Sequence, residues 1–337
     1  MDIINFLIQT IRSVIEFLFG SNFLFHTIRS GMAFLFGSTG EILTEKSGHL
    51  NLGIPGTMCV GAAFGCCAEA FYVNGVGGID AANPVLAVIL PILATFIGGG
   101  LMGLIYCFLT VTLRANQNVT GLVLTTLGIG VSDLMIAGVE ASSFSTASKF
   151  FTAYLPLADK LGTFGKLVLS YGVMVYLSII VALVCAFVLK KTRTGLHLRA
   201  VGEDPATADA AGISVTKYRY VATIIGSGIA GLGGLGYIMD NLGGNWEYTI
   251  DAIGWLAIAL VIFSLWKPNL AIIGSFVFGA LYKIGNYLPG ISTTMKPMIK
   301  MLPFVVTILV LIITSIRNKK ENQAPEGLGL SYFREER

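Results

Sequence analysis

The sequence predicts an all-α integral membrane protein: a multi-span bundle of 9 to 10 transmembrane helices, some of them discontinuous, with a short helix in a loop on the cytoplasmic side. Three observations predict it. Of 337 residues, 54% are hydrophobic and only 12% charged, with a mean hydropathy of +0.77, far from soluble averages. Apolar runs of about 20 residues, the length that lets a helix cross ~30 Å of hydrocarbon, recur along the chain. The stretch from Leu189 to Ile213, LKKTRTGLHLRAVGEDPATADAAGI, is the longest strongly basic and polar interruption.

The first twenty residues, MDIINFLIQTIRSVIEFLFG, are apolar but carry Arg12 and Glu16 on one helical face. Residues 1–22 therefore suit an interfacial amphipathic helix as well as a first membrane helix. No basic segment precedes the apolar run and no small-x-small site follows it, so the segment reads as retained rather than as a cleaved signal. Spans are expected near 23–44, 52–72, 85–113, 119–138, 168–189, 219–239, 250–266, 269–288 and 301–316, within one transmembrane domain, 23–316. The charged tail, 317–337, is expected to be poorly ordered from Asn318 onward.

Orientation follows from the basic residues. With the 190–218 loop inside, that side collects Lys46, Arg114, Lys190, Lys191, Arg193, Arg199, Lys217, Arg219, Lys267, Arg317, Lys319 and Lys320. The other side keeps Lys149, Lys160, Lys166, Lys296 and Lys300. This bias places the C-terminus in the cytoplasm. The net charge of +3 is accounted for by those flanks and calls for no nucleic-acid partner.

Cys59, Cys66, Cys67, Cys107 and Cys185 lie in apolar segments without metal-ligand spacing and read as small buried hydrophobes, so no metal site is expected. Glycines recur at 98–100 and 103, and at 226, 228, 231, 233, 234 and 236, spacings that let membrane helices approach closely.

Within the polar loop, Asp204-Pro205 followed by Ala206, Ala208, Ala210, Ala211 and Gly212 spells a short helix: an oxygen-bearing cap, proline at the first turn and glycine past the end. Two turns of small residues are marginal alone, so stability should come from docking. Its alanine face suits a protein partner better than a lipid surface.

Asn51-Leu52-Gly53-Ile54-Pro55-Gly56 and Asn116-Gln117-Asn118-Val119-Thr120-Gly121 each open a span with a capping residue and glycine. Paired interruptions of this kind mark a transport path when they lie at membrane depth, and plain helix caps when they lie at the surface. Asn51, Asn118, Thr120 and Thr125 are the candidates there. Asp133, a carboxylate inside a span, should face a cavity or a polar partner such as Lys283. Glu69 is expected to be solvated near the outer surface. Asp240, Asn241, Asn245, Trp246, Glu247 and Asp251 read as a solvated outer loop; the sharper alternative has Asn245 and the carboxylates meeting a ribose while Trp246 stacks on a base.

His26, His49 and His197 are scattered and form no H-E-x-x-H site, and no G-x-S-x-G elbow is present. No catalytic residues are expected and the chain does not read as an enzyme. It also lacks a G-x-x-x-x-G-K-[ST] phosphate loop. An ion-coupled secondary carrier would show broken helices and buried carboxylates too, but it needs no docking helix.

Residues 192–234, TRTGLHLRAVGEDPATADAAGISVTKYRYVATIIGSGIAGLGG, resemble the main cytoplasmic loop and following helix of ABC importer permeases of the branched-chain amino acid, ribose and nucleoside group. Residues 40–58, GEILTEKSGHLNLGIPGTM, resemble a second signature of that group. The likeness runs from about residue 30 to 316 and is strongest to bacterial nucleoside permeases. It implies a multi-pass subunit of the bacterial cytoplasmic membrane, with alternating access between the two sides of the bilayer. Asp204, Pro205, Ala208, Ala211 and Gly212 would form the coupling helix that enters a cleft of a separate ATPase. ATP and magnesium would bind that ATPase and no cofactor this chain. The implied partners are the ATPase, a related second permease rather than a second copy, an extracytoplasmic substrate-binding lipoprotein, the bilayer, and a nucleoside such as guanosine, with ribose, another sugar or branched-chain amino acids as alternatives. Three positions depart from the family pattern. Pro55 stands where Glu is frequent, Ala252-Ile253-Gly254 where a Gly-Arg-Gly-like run is common, and Thr125 where Asn is expected.

Overall fold

The computed structural model describes residues 22–154, 165, 168–247, 250–287, 294–317 and 323–333. The expected N-terminal helix with Arg12 and Glu16, and Lys160, Lys166, Lys319 and Lys320, lie outside the described residues, as does the side chain of Asp251. Among the described residues the ordered elements are all helices. Each of the nine expected spans is found as one. They are α1 (Phe23–Glu45), α2 (Ile54–Gly75), α3 (Pro84–Cys107), α4 (Gln117–Ala137), α7 (Val173–Lys191), α10 (Val215–Gly236), α11 (Ile250–Phe263), α12 (Pro268–Lys283) and α14 (Leu302–Arg317). Between them lie α5 (Ala141–Ser145), α6 (Ser148–Phe151), α8 (Arg193–Glu203), α9 (Pro205–Ala210) and α13 (Lys296–Ile299).

Seven of these helices are long and apolar enough to cross a membrane. The other two, the charge-bearing α1 of 23 residues and the apolar α11 of 14, pack among them. Helix starts follow local chemistry. Asn83 Oδ1 accepts from Val85 N–H at 2.9 Å ahead of Pro84, and Asn116 Oδ1 accepts from Val119 N–H at 3.1 Å. Two helices end in π turns, α3 through Phe108–Thr112 and α10 through Tyr237–Asn241.

The centre of the bundle is α10, packed against α1, α2 and α3. Its glycines make this possible: there is no room for a Cβ on Gly40 or Gly226, whose carbonyls face each other across α1 and α10. Gly99 and Gly103 of α3 meet Ser227 in the same way. In the outward direction α3, α4, α7 and α14 present Leu, Ile, Val and Phe, the surface expected of helices in lipid.

The tail departs from its expectation. Residues 323–333 return across the end of the bundle that carries α8 and α9, with Pro325 and Gly327 buried. Gly327 N–H donates to Gly202 O at 2.9 Å and Gly329 N–H to Gly48 O at 3.1 Å. Composition reads the tail as solvated because its charges dominate the count, whereas the ordering groups are its few apolar, proline and glycine residues.

Candidate functional site

The helix expected at Asp204–Gly212 forms. Asp204 Oδ1 accepts from the Ala206 and Thr207 amides, each at 3.0 Å, and Gly212 ends the helix with φ +81°. The hydroxyl of Thr207, together with those amides, holds the fully exposed Asp204 carboxyl below the usual carboxylate range. Ala208 turns inward, 3% exposed, and packs with Val201 and Val215. It is an anchor of α9, and a substitution there probes packing more than docking. The outward face is made by Ala206, Thr207, Ala210 and Ala211. Its anchor α8 is itself capped by Thr192, whose hydroxyl accepts from Gly195 N–H at 3.1 Å, and tied to α10 by His197 Nδ1 and the Tyr218 hydroxyl at 2.8 Å.

The linker from Lys46 to Gly53 is the hub of the same end of the molecule. Leu50 N–H donates to Gln117 Oε1 at 2.9 Å, the Tyr106 hydroxyl to Leu50 O at 2.6 Å, and Asn51 N–H to Glu41 Oε1 at 3.1 Å. Trp266 Nε1–H donates to Glu45 Oε2, drawing in the α11–α12 corner. His49 is fully buried between Thr223 at 3.2 Å from Nδ1 and Thr110 at 3.3 Å from Nε2. The Thr110 hydroxyl already donates to Tyr106 O at 2.7 Å, so it accepts from Nε2–H and Thr223 donates to Nδ1. Burial, with the nearby Arg219 charge, pushes the His49 pKa down to about 3 and keeps the ring neutral. Arg219, counted as a loop cation by position, lies within α10 and is only 3% exposed.

The candidates for the path fall into two groups. At the end that carries α8 and α9, Asn51 Oδ1 accepts from Gly53 N–H at 2.9 Å in a turn that starts α2, and Thr125 Oγ1 donates to Leu52 O at 3.0 Å. The second bond joins the start of α2 to α4, where a Cβ on Gly128 would lie 2.5 Å from Gly56 O. Thr120 is buried in the first turns of α4 and Asn118 is exposed. Pro55 and Gly254 touch each other across α2 and α11.

At the opposite end the structure brings Asp133 and Trp246 together. The indole N–H of Trp246 donates to Asp133 Oδ1 at 3.4 Å, so the partner of Asp133 is Trp246 rather than Lys283. Asn245 turns back to donate to Leu242 O at 3.0 Å. Asp240 is not in a solvated loop. The π turn carries it inward, 1% exposed, onto Arg29 at 2.6 Å, while Asn241 Nδ2 donates to Arg29 O at 3.1 Å. Their separation of 211 residues hides this pair from sequence inspection. Glu69, expected to be solvated, is fully buried, and neither carboxylate oxygen has a partner among the described residues. Among the described residues no group of His, Cys, Asp or Glu has a metal-binding arrangement.

The network at the end that carries α8 and α9 brings together the two stretches that carry the resemblance, 40–58 and 192–234, with Tyr106, Thr110, Gln117 and Trp266 from other helices. Comparison with known families agrees: the family described as branched-chain amino acid transport system, permease component, matches residues 23–311. The chain belongs to that family. This permease is similar to the guanosine ABC transporter permease protein NupQ of Bacillus subtilis, with 30% identity covering 88% of this chain and 92% of that one. It is similar to the nucleoside ABC transporter permease protein NupC of Lactococcus lactis, with 31% identity over 81% and 85% of the two chains. It is also 31% identical, over 88% of this chain and 92% of the other, to TsgC13 of Haloferax volcanii, provisionally assigned as a glucose ABC transporter permease. No solved structure matches the permease. As an ABC permease it is a multi-pass transport component, and its ATPase and binding protein are separate partners.

Proposed function

We propose that this permease is one half of the membrane pathway of an ATP-driven importer of nucleosides, purine nucleosides such as guanosine first, and that α9 is the helix through which the ATPase drives it. The observation that carries the reading is α9 itself. It is a capped two-turn helix, anchored through Ala208, that turns the small residues Ala206, Thr207, Ala210 and Ala211 outward at the end of the bundle where the linkers converge. A small, smooth face of this kind fits a cleft in a protein, and a carrier driven by an ion gradient has no use for it.

The nucleoside assignment is supported by the names of NupQ and NupC. The similarity to TsgC13 favours a sugar as the second reading. Both share the ribose-like hydroxyls that Asp133 could accept, and only a nucleoside offers a base to stack on Trp246. We place the outer recognition point at this pair, with Asn245 beside it. The inner end of the path runs past Asn51, Thr120 and Thr125, with Asn118 at its rim, where α2 and α4 start together. ATP binding on the partner would draw the coupling helices together and switch the pathway from one side of the bilayer to the other. The contact of Pro55 with Gly254 supports a specialised half: it sets Pro55, one departure from the family pattern, against the end of the 252–254 run, which differs at Ala252 and Ile253, as expected when the other permease supplies what this one lacks.

The test is uptake of labelled guanosine into cells expressing this permease with its ATPase, second permease and binding protein. Competition by unlabelled nucleosides but not by glucose, ribose or leucine, lost on ATP depletion, is the expected result. Competition by glucose or ribose replaces the substrate, and uptake that persists without ATP removes the coupling scheme.

A further inference from the structure

The C-terminal segment 323–333, QAPEGLGLSYF, makes contacts that a passive tail does not need. It touches α8, α9, the hub linker and the near ends of α3, α4 and α10 in turn. Glu326 N–H donates to Glu203 Oε2 at 3.3 Å and Gly327 N–H to Gly202 O at 2.9 Å, at the junction of α8 and α9. A Cβ on Gly327 would lie 2.7 Å from Gly202 O, so only glycine permits this approach. Gly329, with φ +79°, donates its amide to Gly48 O in the hub linker. Leu330 O accepts from Arg219 at 3.2 Å and from Gln117 Nε2 at 3.4 Å, joining the starts of α10 and α4. The Tyr332 hydroxyl then donates to Asp209 Oδ2 on α9 at 2.8 Å, with its ring against the Val201, Ala208 and Val215 cluster. Finally Arg114, at the end of α3, lies over the Phe333 ring at 4.8 Å.

We infer that this segment is a strap that couples α9 to the helix ends around the pathway, and that Tyr332 is its positioning residue. The other route from α9 into the bundle is local: Ala208 packs on Val201 of α8, which is tied to α10 through His197 and Tyr218, and α9 continues into α10 through the turn at Gly212 and Ile213, so neither link reaches α4 directly as the strap does. A force applied by the ATPase to Ala206 or Ala210 reaches α4, α10 and the hub linker through Asp209, Tyr332 and Leu330. Cutting the strap leaves the docking face in place and removes the connection behind it. The inference rests on α9 being the docking helix.

The experiment uses the whole complex in proteoliposomes, with labelled guanosine as the transported probe and ATP hydrolysis measured alongside it. Tyr332→Phe keeps the ring and loses one hydrogen bond to a carboxylate, and truncation after Asn322 removes the strap. Both should retain the ATPase on co-purification. In Tyr332→Phe, hydrolysis without binding protein should rise and guanosine moved per ATP should fall, each roughly three- to tenfold; truncation should do at least as much. Asp209→Asn combined with Tyr332→Phe should add little to either alone, because one interaction has been removed twice. A general loss of folding would lower uptake and hydrolysis together in proportion to the permease inserted, and that outcome, or an unchanged ratio in both variants, overturns the strap. Ala210→Glu separates the two levels. If it fails to release the ATPase, the docking assignment falls; if it releases the ATPase while the strap variants stay coupled, the strap alone falls.

Discussion

His49 shows what a single residue does at the inner end. It bridges α3 and α10 as a neutral ring, with Thr110 and Thr223 fixing which nitrogen carries the proton. Its ordinary pKa is 6.5 and burial lowers the folded value to about 3. Between those values the unfolded chain binds the proton that the folded one refuses, so the contribution of His49 is complete above its ordinary pKa and lost as pH falls toward 3. The thermal midpoint of the detergent-solubilised permease should therefore drop between about pH 7.5 and about pH 5 by more than that of His49→Gln. Parallel curves for the two proteins would show that the ring is not held neutral. None of this is legible at residue 49, because the signature containing it gives the residue type but not the two threonines, one 61 and the other 174 positions away, that make its site.

Among the elements, α9 is the one whose existence and ends were readable in advance. Asp204, Pro205 and Gly212 act within a few residues of one another, so local chemistry decides them. Replacing Asp204 by Ala removes both bonds to the first-turn amides and should fray the start of α9. Affinity of the complex for its ATPase should then fall roughly fivefold, measured by co-sedimentation with the permease in nanodiscs. An unchanged affinity would mean that packing of Ala208, not capping, holds the helix. Which face of α9 points out was not readable, since three alanines alternate on so short a helix and only contact with Val201, Val215 and Tyr332 distinguishes Ala208 from Ala210. The π turn after α10 is another case: Asp240 and Asn241 look like loop residues beside Asn245 and Trp246, and the widened turn that buries Asp240 is fixed by Arg29 from α1, which bonds both.

For the whole molecule, the prediction concerns stoichiometry. If Pro55 and the neighbouring 252–254 run mark a specialised half, native mass spectrometry of the complex should find one copy of this permease with one copy of a related permease, bound to the ATPase. Two copies of this chain in the active complex would refute the specialised half. At this scale the sequence by itself determined that the chain crosses a membrane many times, where the seven described helices long and apolar enough to span it lie, and that a capped helix interrupts them. Hydrophobic length and helix ends are local properties, set by solvent and by neighbouring residues. Only the tertiary structure decided that Arg29 neutralises Asp240, that Asp133 meets Trp246, that Glu69 is buried, and that the tail closes over the inner end. Those outcomes depend on which side chains the packing of α10 against α1, α2 and α3 brings within a few ångströms, and pairings across hundreds of residues leave no periodicity in the chain that makes them.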